Sequence, residues 1–411
     1  MRVKKFSLIP LYFILLCSRA FAFPVESSNW GFRVDLPEGY VFSSGDGRDT
    51  FSFENANGAK FDIAIYASER TAGVQGRTYA SVDALARDVH ARLKNSGDID
   101  FFEYRGKKAS LLTLEFQLSG SLMTGWALCI ELDTPGSRQA GSAAQSERSP
   151  STTKPLLLTM AYGPAERNGL ASFHLSALDS LAPEESDRLA PGPISEFAYP
   201  RDTRIRTPIY GLGIHAWIFE EDAEAAQTLI DREYFILRHY ENAPNWKQAW
   251  TRFYQIIYRD SFERLVDIAF QVERKLNISS TENRNPDNRE FANQVLRWVQ
   301  TFEYERDLEG SDFINLISAA AEGRGDCDNR AMLWAVILIQ ADIPAAMMVS
   351  RNYGHAMGLV DLPGAGARFD LEGQKFLVAE TTADVPIGLI GETVSEIEHW
   401  LGIPFDIHTS W

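Results

Sequence analysis

Apolar positions recur with period two between residues 30 and 162, and at spacings of three and four from residue 221 onward. That change predicts a strand-rich first part and a helical second part. Phe32, Val34 and Leu36 alternate with polar neighbours before the turn Pro37-Glu38-Gly39. Phe61, Ile63 and Ile65 alternate after Asn57-Gly58, a pair suited to a tight hairpin turn. Val82, Leu85, Val89 and Leu93 mark a helix, with Ser81 placed to cap it and Gly97 to stop it. Leu112, Leu114, Phe116 and Leu118 resume the strand pattern, Trp126 to Leu132 and Leu156 to Tyr162 continue it, and an amphipathic helix from Leu170 to Leu181 closes the unit. Thr134 to Pro155, rich in Ser, Gly, Ala and Gln, reads as a flexible loop between two of these strands.

Residues 184–214 carry several prolines and no helical period, and are expected to be a linker. Beyond it, Leu229, Tyr234 and Leu237, then Trp250, Phe253 and Ile257, then Leu265, Ile268 and Val272, then Val295, Trp298 and Val299 lie at helical spacing and predict core faces. Ala331 to Ile339 is apolar on every face, the mark of a buried helix. Ala346 to Val349, Met357 to Leu362 and Phe376 to Ala379 read as three strands. The expected fold class is α+β in two domains, residues 25–183 and 215–411.

Composition supports this division, since 45% hydrophobic and 12% aromatic residues can fill two cores. A formal charge of -16 with no basic stripe argues against a nucleic-acid partner. Arg2, Lys4 and Lys5 precede the apolar run Leu8 to Leu16, and Ala20-Phe21-Ala22 offers small residues for cleavage, so residues 1–22 read as a signal peptide. The run is too short for a span, which needs roughly 20 apolar residues, and no later segment suffices. An extracytoplasmic address follows, periplasmic or secreted. A lipoprotein anchored through Cys17 is the weaker alternative, because Leu15 and Leu16 are bulky.

Without the leader, Cys129 and Cys327 are the remaining thiols, which is no disulfide framework. Cys129 sits in a period-two strand and reads as inert. A Cys129–Cys327 bridge stays open, and it would consume the more interesting sulfur. Gly325-Asp326-Cys327-Asp328 precedes the buried helix; His355 follows in Gly354-His355-Ala356, and Glu380 in Glu380-Thr381-Thr382. A thiol, an imidazole and a carboxylate are the parts of a cysteine-nucleophile triad. With Asp326 as cap, Cys327 falls in the first turn, where free N–H groups favour an anion. Flanking Asp326 and Asp328 would oppose that if their carboxylates turned inward. A hairpin with residues 360 and 375 facing one another would also set His355 opposite Glu380. No His-Glu-x-x-His is present, and the histidines show no ligand spacing, so neither a metal nor a cofactor is expected. Arg324-Gly325-Asp326 is an adhesion-like tripeptide that overlaps the thiol turn.

The series Trp298 to Tyr304, Gly325-Asp326-Cys327-Asp328-Asn329-Arg330-Ala331, Ile343-Pro344-Ala345, Gly354-His355-Ala356 and Glu380-Thr381-Thr382 resembles the transglutaminase-like superfamily, including its bacterial cysteine proteases. The resemblance covers roughly residues 231–391. It implies a papain-like arrangement of helices packed on an antiparallel sheet, with Cys327 as nucleophile, His355 as general base and acid, and Glu380 as orienting acid where the family more often has Asp. Gln300 is a candidate oxyanion donor beside the Cys327 N–H. The first domain, from Phe32-Arg33-Val34-Asp35-Leu36 to its closing helix, resembles the PsbP-like antiparallel α+β fold, which implies at most a binding or docking role. Together these imply an exported amidase, peptidase or transamidase acting on a peptide, protein or cell-wall amide. The alternative is an inactive relative that binds a peptide or glycan.

Overall fold

The structure is a computed structural model that describes residues 24–67, 77–133, 154–277, 288–306 and 311–405. The expected signal peptide, Cys17, and residues 134–153 of the expected loop lie outside it. The protein is α+β, with several antiparallel sheets.

A short ribbon pairs β1 (Pro24–Glu26) with β2 (Arg33–Asp35). The period-two segments then form β3 (Val41–Ser44), β4 (Thr50–Glu54), β5 (Lys60–Tyr66), β6 (Ile99–Tyr104), β7 (Lys107–Leu118), β8 (Ser121–Glu131) and β9 (Leu156–Pro164), in the spatial order β3-β4-β5-β9-β8-β7-β6. The Asn57-Gly58 turn sets Glu54 opposite Lys60, so Phe61, Ile63 and Ile65 point to one core. That core is closed by α2 (Leu170–Asp179), while α1 (Val82–Leu93) covers Leu112, Leu114 and Phe116 on the other face. Ser81 Oγ accepts the Ala84 N–H at 3.2 Å, as its position predicts. The helix stops earlier than Gly97, at Lys94 in the left-handed region. Gly97 has another reason to be glycine: a Cβ there would lie 2.1 Å from the Thr113 carbonyl oxygen of β7.

Residues 184–214, the expected linker, contain α3 (Pro193–Ala198) and β10 (Arg204–Ile209), which pairs antiparallel with β11 (Ile214–Phe219); Ala190 and Ile194 are buried. Proline at the first turn of α3 is compatible with a helix start. The Asp179 carboxylate, from the end of α2, accepts the Ile194 and Ser195 N–H groups at 3.0 and 2.8 Å. A cap supplied from 15 residues away leaves no local sequence signal.

Among the described residues the helices α4 (Asp222–Arg238), α5 (Trp246–Arg264), α6 (Val266–Asn277), α7 (Asn288–Gln300), α8 (Leu316–Glu322) and α9 (Cys327–Gln340) follow. They pack on β12 (Ala345–Ser350), β13 (His355–Val360), β14 (Arg368–Leu371), β15 (Gln374–Ala379) and β16 (Leu401–Ile403), ordered β14-β15-β13-β12-β16. Every residue of β12 is buried because the sheet is covered on both faces. Trp334 of α9 packs against β13, where a Cβ on Gly358 would come 2.5 Å from its ring.

The two parts meet in a buried ionic seam. Arg252 of α5 donates to Glu233 of α4 at 2.8 Å, to Ser176 of α2 at 2.7 Å and to the Asp35 carbonyl at 3.2 Å. Arg232 donates to Asp179 at 2.9 Å. Arg252, Glu233 and Asp179 are buried and Arg232 is half-buried, so each charge depends on its partner.

Candidate active site

Asp326 caps α9 as its position predicts. Its carboxylate accepts the Asp328 and Asn329 N–H groups at 3.0 and 3.1 Å, and Asn329 Oδ1 accepts the Asp326 N–H at 3.2 Å in return. Gly325 makes this turn possible, with φ near 144° and a Cβ that would lie 2.8 Å from Asn329 Cβ. Cys327 is thereby held, buried, in the first turn. Asp326 is buried too, so the Arg-Gly-Asp tripeptide is not presented as a loop.

The surroundings of the sulfur work against ionisation. Burial pushes the Cys327 thiol well up, Asp328 and Asp326 push it further, and the Ala356 N–H of β13 opposes them. The thiol donates to Asp328 Oδ1 at 3.5 Å, while Tyr254 donates to Asp328 Oδ2 at 2.5 Å. Burial also raises Asp328, against the pull of Tyr254, the thiol and His355. Helix-terminus stabilisation of a thiolate is therefore outweighed here by desolvation and two carboxylates.

His355 Nε2 lies 2.9 Å from Glu380 Oε2. Burial alone would raise the Glu380 carboxyl, but the imidazole together with the Thr382 hydroxyl and N–H holds it below its ordinary value. Thr382 donates both groups to Oε1, at 2.6 and 2.8 Å. An ionised carboxylate only accepts, so Nε2 carries the proton and Nδ1 of the neutral ring keeps the lone pair. Trp400 packs edge-on against the His355 ring, with centroids 6.1 Å apart.

The strand register differs from the one expected. Gly358 faces Ala379, which puts His355 across from position 382 rather than Glu380. The connection after β13 contains a strand of its own, β14, which turns tightly at Glu372-Gly373 and pairs with β15. The register of β13 with β15 is thus not set by a simple hairpin. A shift of two keeps the same face, and Glu380 reaches His355 diagonally.

Gln300 does not offer its amide to the thiol. Nε2 donates to the carbonyls of Glu380 and Val385, both at 2.9 Å, and so ties down the chain that carries the carboxylate. Tyr304 stands closer to that chemistry: burial and then the neighbouring Cys327 sulfur raise its hydroxyl to about 12. It is placed by the short pairing of Glu303 with Arg324, and the Arg330 guanidinium lies 5.4 Å from its ring centre. Tyr254 carried no functional signal in the sequence, because it sits in a segment whose aromatic residues read as core, and Trp400 lies beyond the last strand that the periodicity marks.

Cys327, Asp328 and His355 line one cavity of about 290 Å³, walled by Tyr234, Trp250 and Phe253. Arg306 and Arg351 reach its rim. Asp326, Cys327 and Asp328 bring ligand atoms within 4.8 Å of one another, the one such group among the described residues. Their oxygens already accept from the helix N–H groups, Tyr254 and the thiol.

No family model and no curated protein matches the chain. Among solved structures it is similar to a Bacteroides thetaiotaomicron protein at 12% identity and TM-score 0.23, over 57% of this chain and 76% of that one. It is also similar to LpqN of Mycobacterium tuberculosis, described as involved in cell envelope biogenesis, at 12% identity and TM-score 0.21, over 35% of this chain and 79% of that one. A Pseudomonas aeruginosa protein of unknown function shares 16% identity at TM-score 0.17, over 31% of this chain and 83% of that one.

Proposed function

We propose that this chain is an exported thiol enzyme that cleaves or transfers amide bonds in the cell envelope, with a transglutaminase-like domain after a PsbP-like domain. The observation that carries the reading is His355, held by Glu380 at 2.9 Å, lining the same cavity as a thiol at a helix N-terminus. His355 Nδ1 takes the Cys327 proton as Sγ adds to the carbonyl carbon. The imidazolium then returns that proton to the departing amine, leaving a thioester for water or a second amine to resolve. The Cys327 N–H and the Tyr304 hydroxyl are the donors available to the oxyanion. Because the resting thiol is held as the acid, the proton leaves during attack rather than beforehand.

One observation favours a noncatalytic binding domain instead: Asp328 accepts the thiol proton and raises its pKa, the opposite of what a preformed nucleophile needs. Iodoacetamide alkylation of Cys327 across pH separates the two. The enzyme reading expects His355→Ala to slow it; a rate untouched by His355→Ala leaves the binding domain.

A further inference from the structure

One surface outside the thiol cavity combines exposed aromatic groups with arginines that, among the described residues, have no acidic partner. Trp217 on β11 and Val266 and Phe270 on α6 are 46%, 50% and 54% exposed, where large apolar side chains are usually covered. The two elements are joined where the Trp217 N–H donates to Asp267 at 2.5 Å, so the ribbon's outer face and the Val266, Phe270, Arg274 stripe adjoin. Arg204, Arg206 and Arg274 lie 5.7, 5.9 and 6.0 Å from the ring centres of Phe219, Trp217 and Phe270. Among the described residues none of these arginines, nor Lys275, has an acidic partner. Asp267 is taken by the Trp217 N–H and by Gln271, and Asp202 and Glu220 lie beyond the ribbon's end.

On a chain of net charge -16 this face is a local reversal of sign. Exposed Trp and Phe ringed by guanidinium groups suit the boundary between lipid headgroups and acyl chains, where rings bury and arginines meet phosphate. A glycan polymer would be read by free carboxylates and amides, whereas here Asp267 accepts from the Trp217 N–H and from Gln271, and Glu273 accepts from Asn277. We infer that the β10–β11 ribbon and the outer face of α6 dock this protein on an anionic phospholipid surface. This goes beyond the thiol chemistry and does not depend on it.

Sedimentation of the full chain with phosphatidylglycerol–phosphatidylcholine vesicles, against phosphatidylcholine alone, tests the inference. Residues 1–22 are common to all variants, so differences report the patch. Arg206→Ser and Arg274→Ser should each weaken binding about fivefold, Trp217→Ala with Phe270→Ala should weaken it further, and Cys327 alkylation should not change. Hydrogen exchange on the anionic vesicles should show protection at residues 204–219 and 266–277. Equal binding by all variants, protection elsewhere, or binding to a cell-wall polymer in place of vesicles would overturn it.

Discussion

Glu380 reaches His355 across the sheet diagonal: Oε2 stands 2.9 Å from Nε2 although the register places position 382, not 380, opposite the histidine. The extra methylene of glutamate bridges this offset. Glu380→Asp should therefore break the contact, whereas Glu380→Gln keeps the length and loses the charge that stabilises the imidazolium. Both should lower turnover of an acyl substrate, on the order of 10²–10⁴-fold, with the Gln variant retaining the fold. Steady-state kinetics beside thermal unfolding would check this.

After burial, Asp328 is the strongest influence that keeps the sulfur protonated. Asp328→Asn removes a carboxylate from 3.5 Å, so the thiol should ionise at lower pH and alkylate about tenfold faster at neutral pH, one pKa unit being a tenfold change. Tyr254→Phe leaves the charge in place and should give no such gain. Alkylation rates between pH 6 and about 10 measure both.

Gly358 lets Trp334 of the thiol helix lie against the histidine strand. Gly358→Ala forces the two apart, at a cost of about 1–3 kcal/mol, and should lower activity as well as stability. Urea unfolding together with the acyl assay reads both effects.

Glu38 faces the buried seam, with Arg252 and Tyr240 from the helical part and Glu233 and Asp35 nearby; burial, only partly offset by Arg252, raises its carboxyl to about 7. A carboxyl raised on folding favours the folded chain while protonated. Its contribution is full below about pH 4.5 and lost as pH rises to about 7. Glu38→Gln should thus stabilise the protein above neutrality, by up to about 3 kcal/mol, and change little in acid. Unfolding midpoints at pH 5 and about pH 8 test the sign.

What could be read from the sequence followed local periodicity. The Asn57-Gly58 hairpin, the Ser81 and Asp326 caps and the buried thiol helix each rest on residues a few positions apart. The misses are long-range. Asp179 caps α3 from another element, β14 resets the register behind His355, and Gln300 binds two carbonyls 80 and 85 residues away. The state of the thiol was undecidable from spacing, because it turns on which way the Asp328 carboxylate points.

The proposed chemistry has Cys327 attack a carbonyl with His355 as its base. The most direct measurement is intact-mass detection of the chain after exposure to an activated acyl ester, for the native sequence, His355→Ala and Cys327→Ser. Cys129, fully buried with its thiol raised to about 12, serves as an internal inert thiol. A single acyl adduct on Cys327, slowed about 10²-fold or more in His355→Ala and missing in Cys327→Ser, is the predicted result. An unmodified Cys327, or an adduct formed at the same rate without His355, would contradict it.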